Sequence, residues 1–341
     1  MQNQKSREIR LKSRPVGTPT KANFELVETD VPTPGPGQVL VRNSYMTVDP
    51  YMRGRMMDRK SYVPPFQIGE ALQGGAVGQV VASNAPHLKV GDYVQSMLGW
   101  REWFVSDGGA VMKLDPTVGP IQAYLGALGM PGLTAYVGLL KIGELKDGER
   151  VFVSAASGAV GQIVCQIAKA KGCYVVGSAG SDEKCDFLTK ELGVDKAINY
   201  KTAGDLTAAL AKAAPEGIDV YFDNVGGSHL QAAIANMRQF GRIAACGAIE
   251  QYNNTELSPG PNNLMLVVGL SLTIRGFIVS NHFDMMGQFL GDMAKWKAAG
   301  KMKWRETIAD GIDKAPDAFI GLFKGENFGK MLVRVGPDQA V

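Results

Sequence analysis

The run Ala155-Ala156-Ser157-Gly158-Ala159-Val160-Gly161 lies between an apolar, strand-like stretch at 150–154 and a stretch of helical periodicity at 159–171. That setting gives its glycines a chemical use. Gly158 lets backbone approach a pyrophosphate, and Gly161 lets a helix lie close to the strand. The helix start adds unpaired N–H groups and positive partial charge. Ala156 replaces the first glycine of the usual G-x-G-x-x-G pattern, so the strand–turn–helix context carries more weight than the glycines themselves. A glycine-rich βα turn without a ligand stays open as the plainer alternative.

The next strand selects between cofactors. An NAD site places an acidic residue on the ribose 2′-hydroxyl about 20 residues past the turn. Here Gly177-Ser178-Ala179-Gly180-Ser181 is small and uncharged, and Asp182, Glu183 and Lys184 follow. Asp182 and Glu183 suit the first turn of a helix, where carboxylates complement the dipole. Loss of the carboxylate, with a lysine close behind, favours a 2′-phosphate and therefore NADP(H).

The remaining chemistry is narrowed by what the chain lacks. Cys165, Cys173, Cys185 and Cys246 form no C-x-x-C pair, and His87, His229 and His282 are isolated. Neither a disulfide framework nor a spaced zinc cluster is visible; buried thiols and incidental histidines account for these residues. No Cys or His precedes residue 87, leaving only oxygen ligands in the first quarter of the chain. No metal is expected, although a fold could still gather distant ligands. None of the ten tyrosines has a lysine four residues later, so a Tyr-x-x-x-Lys dyad is absent. A conjugated enone fits what is left, because hydride adds at the β-carbon and charge collects on the carbonyl oxygen as an enolate. A neutral phenol, ordinarily titrating near pH ~10, can donate to that oxyanion without ionising. Tyr252 follows a core strand at 242–246, where loops face the ligand crevice of an open α/β sheet. Judged by position alone, a packing tyrosine is the simpler choice.

These residues need two kinds of scaffold. Residues 1 to about 125 are rich in Pro and Gly, with short strand-like runs at 38–42, 75–82, 93–97 and 102–105, the texture of a twisted or barrel-like β domain. From about residue 128, strands at 150–154, 174–177, 197–200, 219–222, 242–247 and 272–279 alternate with helical stretches. Apolar strands between helices argue for a parallel sheet covered on both faces. The tail from 303 carries a helical pattern at 312–323 and a strand at 330–335, and is expected to return to the first domain. The 341 residues carry 36 basic and 33 acidic side chains, a net +3, too balanced for a nucleic-acid footprint. Lys5, Arg7, Arg10, Lys12 and Arg14 read as a solvated N-terminal arm. No secretory signal core is visible at the start, and the most apolar run, 264–274, is far short of the about 20 residues of a membrane span. No membrane or nucleic-acid partner is expected, and the protein is read as soluble and cytoplasmic.

Four motifs carry a family resemblance across nearly the whole chain: Asp49-Pro50-Tyr51-Met52-Arg53-Gly54-Arg55-Met56, Met130-Pro131-Gly132-Leu133-Thr134-Ala135-Tyr136, Asp223-Asn224-Val225-Gly226-Gly227 and Asn327-Phe328-Gly329-Lys330. The sequence resembles the zinc-independent medium-chain dehydrogenase/reductases, within them the group of prostaglandin reductases, 2-alkenal reductases and bacterial NADPH-dependent curcumin reductases. The resemblance implies an α/β protein with a GroES-like β-barrel catalytic domain (1–127 and 303–341) and an inserted Rossmann domain with a doubly wound parallel sheet (128–302). It implies NADPH-dependent, metal-free reduction of the double bond of α,β-unsaturated ketones and aldehydes, such as curcumin-like enones, 2-alkenals and oxo-lipids, usually by a homodimer.

The resemblance also assigns residues. Ala155, Gly158, Ala159 and Val160 belong to the pyrophosphate turn, and Lys184 and Tyr200 match the grip on the 2′-phosphate. Met130, Pro131, Cys246, Asn224, Asn327, Phe277, Ile278 and Val279 match other cofactor contacts, the last five at the nicotinamide end. Tyr252 matches the tyrosine that stabilises the enolate, which reverses the positional judgement. Tyr51 and Tyr62 match substrate-pocket tyrosines, Tyr62 on weaker local similarity. Plainer roles remain: packing for Tyr51 and Tyr62, turn formation for Asn224, and a strand end for Tyr200. Quinone reduction, a non-catalytic NADPH-binding redox sensor and a metal-dependent alcohol dehydrogenase are the competing functions. The physiological substrate is not legible from the sequence.

Overall fold

The computed structural model describes residues 4–339. The chain divides into two compact units, residues 1–125 with 306–341, and residues 126–305.

In the first unit, β1 (Lys5–Leu11) pairs antiparallel with β2 (Phe24–Asp30) from Lys5↔Asp30 to Leu11↔Phe24. The basic stretch expected to be a solvated arm is thus a strand. Its charged residues mask the buried Ser6, Ile9 and Leu11, while Arg7 pairs with Glu102 and Arg10 with Glu8. β3 (Gln38–Thr47) runs beyond the expected stretch at 38–42. Its polar residues 43 and 44 are buried within the sheet, and the Asn43 side-chain N–H group is satisfied by donating to Leu98 O and Arg101 O. After the short helix α1 (Met52–Arg55) come β4 (Ala76–Ser83), β5 (Tyr93–Ser96), β6 (Trp103–Asp107) and β7 (Met112–Lys113).

The second unit alternates helices and strands. Its elements are α2 (Met130–Tyr136), β8 (Arg150–Val153), α3 (Gly161–Ala170), β9 (Tyr174–Ala179), α4 (Asp182–Asp186), β10 (Lys196–Asn199), α5 (Leu206–Ala213), β11 (Ile218–Asp223), α6 (Gly227–Asn236), β12 (Met237–Ala245), α7 (Met265–Gly269), β13 (Thr273–Gly276) and α8 (Met286–Ala298). The six strands are parallel, in the order β10-β9-β8-β11-β12-β13. This is the Rossmann doubly wound order, whose direction reverses between its first and fourth strands, here β8 and β11. Val151, Phe152 and Val153 are fully buried at its centre, as a sheet covered on both faces requires.

The tail adds β14 (Glu306–Asp310), α9 (Ala315–Leu322) and β15 (Lys330–Arg334). β15 pairs parallel with β14 and antiparallel with β3, completing a seven-stranded sheet in which β6 also joins β3. Beside it, Phe24, Trp100 and Phe319 pack with Met46, Met52 and Met56 in one apolar core, the Phe24 and Trp100 rings stacked 5.9 Å apart. A buried ion pair locks the returning strand to β3. Lys330 Nζ donates to Asp49 Oδ1 at 2.7 Å and to Val48 O at 3.1 Å, and Thr47 Oγ1 donates to Asp49 Oδ2 at 2.7 Å. Removing one member strands the other charge in the interior. Lys330→Ala is therefore expected to lower stability by about 3–5 kcal/mol, and the paired change Asp49→Asn with Lys330→Met by clearly less; chemical denaturation of the three proteins measures both.

Candidate functional site

The crevice of a doubly wound sheet opens at the carboxyl ends of the strands flanking the switch point. At the end of β8, Ala155 takes a left-handed backbone (φ +47°), a strained conformation for a residue with a side chain. The turn closes with Gly158 N donating to Ala155 O at 2.9 Å, and Ala156 N reaches across to Ser178 O at 2.9 Å. α3 begins so close to this turn that a Cβ on Gly161 would lie 2.3 Å from Ala155 O. No side chain caps α3; Gln162 N donates to Gly158 O at 3.1 Å and Ile163 N to Val160 O at 3.0 Å, so what the helix start offers an anion is its positive partial charge.

The other strands supply the rest. Asn224, directly after β11, donates its N–H to Ser154 Oγ at 2.9 Å and its side-chain amide to Ser154 O at 2.8 Å. After β12, Cys246 N and Gly247 N both donate to Asp223 O. Tyr252 folds back over this loop, its phenol accepting from Ala248 N at 3.3 Å, and a Cβ on Gly247 would lie 3.1 Å from that oxygen. Burial raises the Tyr252 pKa, so the phenol stays protonated and able to donate.

At the other side of the sheet, Lys184 sits in α4 after β9, with Ser181 Oγ accepting from its N–H. Tyr200 and Lys201 follow β10 and fold onto Gly180, where a Cβ would meet Tyr200 Oη at 3.0 Å and Lys201 Cε at 3.3 Å. Burial and then the neighbouring Lys201 charge push the Lys184 pKa down. Two ammonium groups held near one another make a place for an anion. Lys201 was not singled out from sequence, although it adjoins Tyr200. His229 was also missed: it is buried beneath Tyr200, ring centroids 5.1 Å apart, and burial lowers its pKa to about 4, keeping it neutral.

Phe277, Ile278 and Val279 follow β13, and the Phe277 ring packs edge-on against Phe222 at 6.4 Å. Each of the six parallel strands therefore delivers predicted residues at its carboxyl end. Met130 and Pro131 open α2, where Met130 O accepts from Thr134 Oγ1.

The first unit holds the other three predicted residues. Tyr51 precedes α1, and burial followed by the Asp49 charge raises its pKa strongly. Tyr62 is largely exposed, on the loop after α1. Both phenols lie within electrostatic range of the Arg55 guanidinium, which donates to Pro64 O and Gln73 Oε1. Asn327 lies before β15, its amide donating to Gly329 O at 2.8 Å. Among the described residues, no group of three or more His, Cys, Asp or Glu side chains is placed to hold a metal ion.

Comparison with known proteins decides the family. Residues 7–114 match a family model for the N-terminal domain of oxidoreductases, and residues 159–295 one for zinc-binding dehydrogenases. The NADPH-dependent curcumin reductase of Escherichia coli is 46% identical over 342 residues, covering 99% of both chains. A 2-alkenal reductase (NADP(+)-dependent) from Nicotiana tabacum is 43% identical, covering 98% of both. CurA from Vibrio vulnificus, solved in complex with NADPH, superposes with a TM-score of 0.93 at 45% identity, covering 97% of this chain and 99% of that one. The chain belongs to the medium-chain dehydrogenase/reductases. Within that family it joins the group of curcumin reductase, 2-alkenal reductase and prostaglandin reductase 1.

A medium-chain reductase built this way depends on the α3 approach. Gly161→Ala is expected to cost about 1–3 kcal/mol through overpacking against Ala155, read as a lowered denaturation midpoint beside an unaffected Gly109→Ala control at an open position.

Proposed function

We propose that this chain is an NADPH-dependent reductase of the carbon–carbon double bond of α,β-unsaturated ketones and aldehydes. The observation that carries the proposal is the convergence of two features on one sheet edge: a phosphate-binding turn with a lysine pair, and a half-buried protonated phenol at Tyr252. The relatives support the substrate class, being named for curcumin, 2-alkenals and prostaglandins.

The residues fit the cofactor by their donor set. The α3 amides and the Gly158–Gly161 cradle suit a pyrophosphate; Lys184, Tyr200 and Lys201 suit a 2′-phosphate. Asn224, Phe277, Ile278 and Val279 would hold the nicotinamide end, with Cys246, Met130 and Pro131 as further contacts. NADPH, when bound, supplies the hydride. The protein's part is to aim the substrate and receive charge. Tyr252 donates its phenolic hydrogen to the carbonyl oxygen, where negative charge gathers as the β-carbon is reduced, and solvent supplies the proton that the α-carbon takes up. Tyr51 and Tyr62 would line the substrate pocket, making the unit of 1–125 and 306–341 the substrate domain and 126–305 the cofactor domain.

We also infer a homodimer. β13 is an edge strand whose four residues, Ile274 among them, are exposed, and Leu264, Met265 and Val268 expose apolar surface beside it. An apolar, open strand edge favours pairing with a second copy. A cytoplasmic setting is supported by four unpaired cysteines, since thiols persist in reducing compartments.

Tyr252→Phe is expected to lower turnover of an enone by about 10²-fold, as loss of an oxyanion donor does, while leaving NADPH affinity within twofold; stopped-flow NADPH oxidation and fluorescence titration read the two quantities. Lys184→Ala is expected to raise the KM for NADPH at least tenfold and leave that for NADH nearly unchanged. A panel of enals, cyclic enones, diarylenones and quinones with product analysis tests the reaction: turnover confined to quinones would overturn it.

A further inference from the structure

The carboxyl end of β11 holds a buried anion that the proposed reaction does not use. Asp223 is only 3% exposed. Its Oδ1 accepts from Tyr221 Oη at 2.7 Å, Gly226 N at 2.8 Å, Val225 N at 3.0 Å and, more weakly, Ser154 Oγ at 3.5 Å. Its main-chain oxygen accepts from Cys246 N at 2.9 Å and Gly247 N at 3.0 Å. No basic side chain pairs with it among the described residues. Burial raises the Asp223 pKa, and these donors oppose the rise.

A buried carboxylate without a counter-ion is costly, and neutral residues would tie the same loops together at less expense. The loops it ties carry Asn224, a proposed nicotinamide contact, and Cys246, a further proposed cofactor contact. Its charge acts on the same loop: burial first and the Asp223 charge second raise the Cys246 thiol to about 12, and the Tyr252 phenol is raised by burial, with smaller contributions from Cys246 and then Asp223. The phosphates of the cofactor carry the same charge in both oxidation states. Only the nicotinamide ring differs, cationic in NADP+ and neutral in NADPH.

We propose that the Asp223 carboxylate sets the oxidation-state preference of the bound cofactor, favouring the cationic ring over the neutral one and so making bound NADPH the stronger hydride donor. The inference rests on the cofactor assignment made under Proposed function. It makes Asp223 a positioning residue with an electrostatic role, acting through space at the end of β11.

The test is equilibrium binding, with NADP+ followed by calorimetry and NADPH by its fluorescence. Asp223→Asn keeps the shape and removes the charge. It is expected to weaken NADP+ about tenfold more than NADPH, the size of effect that a unit charge has across roughly 10 Å at an effective dielectric of about 20. Tyr221→Phe removes a donor and keeps the charge, and is expected to leave the ratio of the two affinities within twofold. A purely structural role would change both affinities equally in Asp223→Asn, and that result overturns the proposal. Wild-type protein supplies a test that does not depend on the variant folding: the two forms should bind within about threefold, or NADP+ tighter, and a preference for NADPH above tenfold overturns it. Failure of both forms to bind wild-type protein would instead overturn the cofactor assignment.

Discussion

The cofactor unit depends on one close approach, between Gly161 at the start of α3 and Ala155 in the turn before it. With no room for a Cβ at Gly161, α3 meets the sheet at the spot where β8 ends, which puts the positive end of the helix at the crevice. The positive φ at Ala155 is part of the same geometry, since the chain must reverse sharply between a buried strand and a helix packed against it. The strand order then does the rest. Because β8 and β11 are neighbours while their onward connections run to opposite sides, the loops after them part and leave space beyond the sheet. Asn224 and Ser154, joined by two hydrogen bonds, hold the two sides of that space in register.

The fold was legible where periodicity was clean. Apolar strands such as β8 and β11, separated by helices with buried stripes, announced a parallel sheet, and the sheet has the expected order. The failure at residues 5–11 is instructive. Charged residues at alternate positions look like a solvated arm when counted, yet their partners, Glu102 and Glu8, lie in the fold and only the structure brings Glu102 near. β3 was read short for a related reason. Asn43 and Ser44 resemble a strand end in sequence yet both are buried in the strand, where distant carbonyls at Leu98 and Arg101 accept from Asn43 Nδ2.

The site was legible to the extent that its residues lie in local motifs. The turn at 155–161 and the uncharged end of β9 could be read directly, since each acts through backbone or through the absence of a side chain. Tyr252 could not: nothing local separates a phenol held over Gly247 and Ala248 from a packing tyrosine, and the family resemblance supplied that assignment. Lys201, His229 and Asp223 escaped for another reason. Each gains its meaning from a residue far away in sequence, Lys184, Tyr200 and the loop at 246–247 respectively, which only the order of the strands brings together.

That strand order also arranges charge. Lys184 and Lys201 follow β9 and β10 on one side of the switch point, the α3 amides stand at the switch point itself, and the Asp223 carboxylate lies past it at the end of β11. A dinucleotide phosphate laid across this edge meets cations at one end and an anion at the other. In the proposed orientation the 2′-phosphate lies by the lysines, and the nicotinamide, cationic in NADP+, lies by the carboxylate. Turned around, the 2′-phosphate would face a buried carboxylate with no counter-ion, and like charges so placed cost several kcal/mol. Under the proposed assignment the direction of the cofactor follows from the topology of the sheet, which sorts the charges before any single residue touches the ligand.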